Sequence, residues 1–183
     1  APQGGGEPIA VFETGAILLY LAEKTGQFLP AGGAARWEAI QWLIWQVAGH
    51  GPMNGQAHHF VRYAPDGQDY GVERYTREVI RLLNVLEYRL RDSAWVGGAE
   101  YTIADMAVWH WTWASVLLGV ELSEFPAVER WAGIVASRPA VIRATTNKAT
   151  EVVAGNTQRR AKLSAEQWSN MFGDKMHAAA RPN

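Results

Sequence analysis

The sequence predicts a mainly all-α fold, and three observations carry that prediction. From Tyr70 to Arg91, apolar residues recur at helical spacing, so that Val72, Tyr75, Val79, Leu82, Leu83, Leu86 and Leu90 share one face. Helix-start signals punctuate the second half: Thr102 and Asp105 have the spacing of a capping box, and Pro126 and Pro139 suit first-turn positions. Only Ile9 to Phe12 reads as a strand, and one strand alone is not stable in water.

Taken in order, residues 1–8 are Gly-rich and read as a loop. Thr14 to about Thr25 reads as a helix apolar on most sides, stopped by Gly26. Gln27 to Gly33 is a linker, and Ala34 to about Gly49 a long helix carrying Trp37, Ile40, Leu43, Ile44 and Val47. Gly51, Pro52 and Gly55 are expected to break it. After the helix at Tyr70 to Arg91, the capping box opens one that runs to about Leu118. Residues 145–163 are polar and weakly periodic, which predicts a surface wrap or a mobile segment, and Ser164 caps a last short helix through Phe172. Short connections between these elements suit an antiparallel bundle.

Composition narrows function by exclusion. The 183 residues suffice for one sizeable core, and a net charge of -1 gives no broad attraction to nucleic acid or anionic lipid. No apolar run reaches the roughly 18 residues of a membrane span, and no leader pattern opens the chain, so a cytoplasmic protein with no membrane partner is expected. Cysteine is absent, so any sulfur chemistry must use a ligand's thiol. His58 and His59 are neighbours that point about 100° apart on a helix, and no metal site is expected from them. The nine tryptophans have core packing as their ordinary role.

The joint between the strand-like stretch and the first helix carries the most chemistry. A helix starting near Thr14 leaves its first N–H groups unpaired and attracts an anion, while the Glu13 carboxylate beside it suits a cation. Together they fit a zwitterionic amino-acid head such as that of glutathione. A Thr cap that binds nothing would explain the same residues.

Glu13-Thr14-Gly15-Ala16-Ile17-Leu18-Leu19-Tyr20-Leu21-Ala22-Glu23-Lys24 resembles the end of the thioredoxin-like domain of bacterial glutathione transferases. Trp45-Gln46, Gly51-Pro52-Met53 and Gly55-Gln56-Ala57-His58-His59-Phe60 are similar to the Nu class, the glutathione-dependent disulfide-bond oxidoreductases. Arg74-Tyr75, Glu78, Arg81-Leu82, Thr102-Ile103-Ala104-Asp105 and Arg138-Pro139-Ala140-Val141 continue the pattern. The resemblance implies a C-terminal helical bundle preceded by the last strand and helix of a thioredoxin-like domain. On it, residues 1–26 are a remnant of the glutathione-binding domain, 27–144 the helical domain and 145–183 an extension.

The resemblance also implies glutathione as substrate, bound by Glu13 and Thr14, and a thiolate acting on disulfides or small electrophiles in a homodimer. Most of the thioredoxin-like domain is expected to precede Ala1, so the thiol-activating residue has no counterpart here. A non-catalytic helical binding module that lost that half is the alternative. Met53, Asn54 and Gln56 are expected to line the site entrance, and Trp109, His110 and Trp111 a pocket wall. His110 stands where the family usually has proline, which should leave the helix straighter. Arg74, Arg77 and Arg81 either make a solvated face or contact a glutathione carboxylate.

Overall fold

The period-3.6 stripe on the central segment folds as the longest helix and organises the rest. The computed structural model describes residues 5–146 and 163–180. They form α1 (Thr14–Thr25), α2 (Gly33–Trp45), α3 (Gly51–His58), α4 (Asp69–Arg91), α5 (Ile103–Ala114), α6 (Pro126–Ala136), α7 (Pro139–Thr145), α8 (Ala165–Phe172) and α9 (Asp174–Ala179). Val79, Leu82, Leu83, Leu86 and Leu90 of α4 are buried against Val108, Val128, Trp131 and Val135, which makes α4, α5 and α6 the walls of the main core. A smaller layer joins α1 to α2 and α5 through Leu18, Ala22, Leu43, Ile103 and Met106.

Mainly all-α is the observed class, with one correction to its strand. Ile9 to Phe12 is irregular, and no strand occurs among the described residues. Ile9 and Phe12 stand largely exposed, and no strand among the described residues takes up this segment's backbone groups.

The expected break at Gly51 to Gln56 is the second correction. From Gly33 to Tyr63 the chain stays helical, and α3 is flanked by two π-type turns, Gln46–His50 and His59–Tyr63. Pro52 explains the first of them. Its ring would collide with the carbonyl four residues back, and widening the preceding turn relieves the clash without ending the helix. The bond from Gly51 N–H to the Gln46 carbonyl, five residues back, records that widening.

Thr102 and Asp105 form the capping box at α5. The helix ends four residues before Leu118 and tightens into a 3₁₀ turn over Ser115–Leu118. Ser164 and Gln167 likewise cap α8 reciprocally. The polar stretch expected to wrap the surface lies largely outside the described residues, over 147–162.

Two buried carboxylates tie the bundle together. Asp105 accepts from Val96 N–H (2.8 Å), Trp131 Nε1 (2.9 Å) and Thr102 N–H (2.9 Å), joining a loop, α6 and its own cap. Burial pushes its carboxyl above the usual range, opposed by these bonds. Glu87 of α4 reaches the start of α6 and accepts from Ala127 N–H (2.9 Å) and Val128 N–H (3.1 Å), capping that helix from outside. Glu87→Ala strands those two donors and should cost about 2 kcal/mol. Urea denaturation measures the loss, and amide exchange at Ala127 and Val128 should accelerate before the rest of α6.

Candidate functional site

Gly15 sets the position of the start of α1. A β-carbon there would stand 2.9 Å from Val47 Cγ2, so only glycine brings this helix start against the first π-type turn. Glu13, expected beside the cap, is itself the N-cap residue, and Thr14 is the first helical residue; the Glu13 side chain caps nothing. Both side chains are exposed, and neither has a hydrogen-bond partner among the described residues. Glu13 holds φ 69° and ψ 123°. A non-glycine residue in that region costs on the order of 1–3 kcal/mol, and such strained positions cluster at functional sites.

Phe28 is the other non-glycine residue with positive φ among the described residues, at 62°. The two strained positions therefore flank α1. Phe28 also gives its carbonyl to Ile103 N–H at 2.9 Å, which fixes the end of α1 at the start of α5. Since the start of α1 lies by the first π-type turn, which the far end of α5 also touches, α1 and α5 run antiparallel.

Against this layer lies a cavity of about 570 Å³. Phe28, Met106, Trp109, Trp113 and Val141 make its apolar walls, with His110 at an exposed rim. Trp109 and Trp113 stack one turn apart at 6.1 Å, and Trp109 Nε1 donates to the Ala132 carbonyl at 3.0 Å. Met106 both lines the cavity and packs in the α1 layer. Arg138 brings the cavity's permanent charge. Its guanidinium lies 3.7 Å over the Tyr101 ring.

The other expected lining residues go elsewhere. Trp111 does not line the cavity: it keeps an edge contact with His110 at 5.8 Å and packs on α3, where a β-carbon on Gly51 would meet its Nε1 at 3.2 Å. Met53 is half-buried and Gln56 exposed. Asn54 is fully buried rather than at an entrance, donating from Nδ2 to the His50 carbonyl at 2.8 Å and lying 3.3 Å from His50 Nδ1. Arg74, Arg77 and Arg81 make the solvated face, pairing with Glu73 and Glu78.

Sequence reasoning missed the polar ladder to which Asn54 belongs. Gln46, His50, Asn54, His58 and Arg62 recur every four residues and are all buried. Their spacing was visible, but only packing against α4 and α5 makes the stripe an inner face. Within it, Asn54 donates to His50 Nδ1, so His50 Nε2–H faces Thr112 Oγ1 at 3.2 Å, and the Thr112 hydroxyl donates a hydrogen bond to the Val108 carbonyl at 3.0 Å. Burial holds His50 neutral, lowering it from 6.5 to about 4. His58 falls likewise to about 4, first through burial and then through the Arg62 and His110 charges. Among the described residues, no group of three or more His, Cys, Asp or Glu could hold a metal ion. No helix there is long and apolar enough to cross a membrane.

Comparisons with known proteins identify what the chain is similar to. Residues 69–133 match the family described as glutathione S-transferase, C-terminal domain. The chain is 51% identical over 140 residues to the disulfide-bond oxidoreductase YfcG of Escherichia coli (strain K12), a match covering 76% of this chain and 65% of YfcG. It resembles the glutathione transferase of Burkholderia graminis, solved with two glutathione molecules bound per subunit, at 40% identity and a TM-score of 0.74, over 79% of this chain and 64% of that one. It also resembles a glutathione transferase homologue from Lodderomyces elongisporus, solved with two glutathione molecules per subunit, at 33% identity and a TM-score of 0.72, over 82% of this chain and 71% of that one. The chain thus spans just under two thirds of YfcG.

Proposed function

Because the chain belongs to the glutathione transferase family, we propose that it carries the γ-glutamyl-binding corner and the second-substrate cavity of a glutathione-dependent disulfide-bond reductase. The single observation that carries this reading is the strained Glu13 backbone at the free N-terminus of α1. Glu13 takes the ligand's ammonium; the Thr14 hydroxyl and the first N–H groups of α1 take its carboxylate.

The chemistry is thiol–disulfide exchange. A glutathione thiolate attacks one sulfur of the substrate disulfide, forms a mixed disulfide and expels the other sulfur as a thiolate, which takes up a proton. A second glutathione thiolate then releases the remaining substrate thiol and leaves as glutathione disulfide. Two glutathione molecules are consumed per disulfide, which fits the pair bound in the Burkholderia neighbour. Residues 1–183 contain no cysteine, so this chain itself supplies no reacting sulfur. The domain boundaries at residues 26 and 144 belong to this reading, as does a cytoplasmic site of action.

Trp109 and His110 serve the second substrate, whose cavity shares Met106 with the α1 layer. Trp111, Met53 and Gln56 sit on the α3 side, and Asn54 positions His50 there. A two-fold dimer through α2 and α4 belongs to the same proposal, supported by exposed Trp37 and Ile44 on one helix and Tyr88 on the other. A monomer by light scattering would count against it.

Glu13→Gln removes the charge and keeps the shape. Calorimetric titration with glutathione should show affinity weakened by more than about 1 kcal/mol, the scale of one charge-assisted bond. Unchanged affinity would remove Glu13 from the site.

A further inference from the structure

We propose that the cavity walled by Phe28, Trp109 and Trp113 selects an apolar molecule bearing one carboxylate, with Arg138 as the residue that grips it. The inference rests on the reading of this cavity as the second-substrate site, and it names the substrate class.

Arg138 is half-buried at the start of α7, and its side chain lines the cavity. It has no carboxylate partner among the described residues. Withdrawing a cation from water without an anion is unfavourable, and the structure offsets only part of that loss. The guanidinium lies over the Tyr101 ring, 3.7 Å from its centre, a cation–π contact. Asp105, the carboxylate that acts electrostatically on Tyr101, spends its oxygens on Val96, Thr102 and Trp131 and offers Arg138 nothing.

Tyr101 is itself held. Phe28 meets it edge-on at 5.9 Å and Trp95 at 5.2 Å, so the guanidinium rests on a ring that two other rings fix. Among the described residues no ion pair takes the guanidinium N–H groups of Arg138, so they can hold a carboxylate in the bidentate manner that lysine cannot match. The stacked indoles of Trp109 and Trp113, with Met106 and Val141, then receive the apolar body. A neutral apolar molecule fits the walls but leaves the cation unpaired. A cationic one meets Arg138.

The test is fluorescence titration of the full chain, read through Trp109 and Trp113, with 4-phenylbutyrate and its neutral analogue 4-phenylbutan-1-ol. The carboxylate should bind at least about tenfold more tightly than the alcohol, the scale of one good charge-assisted pair. Arg138→Met should erase that preference while the alcohol's affinity stays within about twofold, which also reports that the cavity remains folded. Arg138→Lys should retain part of it. Equal binding of the two probes would overturn the proposal, as would a preference that survives Arg138→Met or a cavity that takes neither probe because polypeptide fills it. Calorimetry with glutathione on the same preparation separates the two readings. Glutathione binding without carboxylate selection sinks this inference alone, whereas carboxylate selection without glutathione binding leaves the anion site and removes the reductase.

Discussion

Replacing Asp105 with alanine should lower the unfolding free energy by about 4 kcal/mol, because a buried acceptor serving several buried donors leaves all of them unsatisfied when it is lost. Those donors are Val96 N–H, Thr102 N–H and Trp131 Nε1, contributed by a loop, a helix cap and α6. Trp131 and Val96 are fully buried, so water cannot replace the carboxylate without opening the core. Asp105→Asn keeps an oxygen either for Val96 and Trp131 or for Thr102 and turns an NH₂ against the other side; it should fall between wild type and alanine. Urea denaturation with matched slopes measures both. A loss below about 1 kcal/mol for alanine would mean that the three donors find other partners and that Asp105 is not the junction of the fold.

The second large effect is acid sensitivity through His50. This imidazole is neutral in the folded protein, lowered from 6.5 to about 4 by burial beneath α5. Above pH 6.5 neither the folded nor the unfolded form is protonated at this site. As pH falls from 6.5 toward 4, the unfolded chain takes up a proton that the folded form refuses, so stability is lost through that window. The slope approaches about 1.4 kcal/mol per pH unit and the full loss about 3 kcal/mol. His58 acts in the same direction, being lowered likewise. Asp105, whose carboxyl is raised, acts oppositely, since the folded form there takes its proton first. His50→Gln isolates one share. Its stability should vary less with pH than wild type between 6.5 and 4, and identical curves would show that His50 titrates freely in the fold.

These two sites also show what could be read from residues alone. The helix class, the α4 stripe and the Thr102–Asp105 box follow from local spacing, because a helix brings residues three and four apart together whatever surrounds it. Asp105 was legible as a cap, yet its bonds to Val96 and Trp131 come from segments 9 and 26 residues away and had no local signal. The same holds for Glu87, which caps a helix 40 residues distant. Pro52 gave a misleading signal: proline argues for a break, and the wider turn before it satisfied the steric demand more cheaply than ending the helix. At the site, Glu13 and Thr14 announced themselves by residue type at a strand-like to helical joint, while the backbone strain at Glu13 appeared only in the fold. The Trp109–His110–Trp111 run looked like one wall, but successive helical residues diverge by about 100°, and Trp111 was carried to the opposite side. Arg138 carried no site signal of its own, because its place over Tyr101 depends on α7 folding back across the start of α5.

A crystal of this protein soaked with glutathione tests the whole reading most directly. The result expected is a γ-glutamyl group seated at the start of α1, with its ammonium within hydrogen-bond reach of the Glu13 carboxylate and its own carboxylate on Thr14. Electron density for glutathione elsewhere, or a start of α1 covered by the protein's own chain, would contradict it.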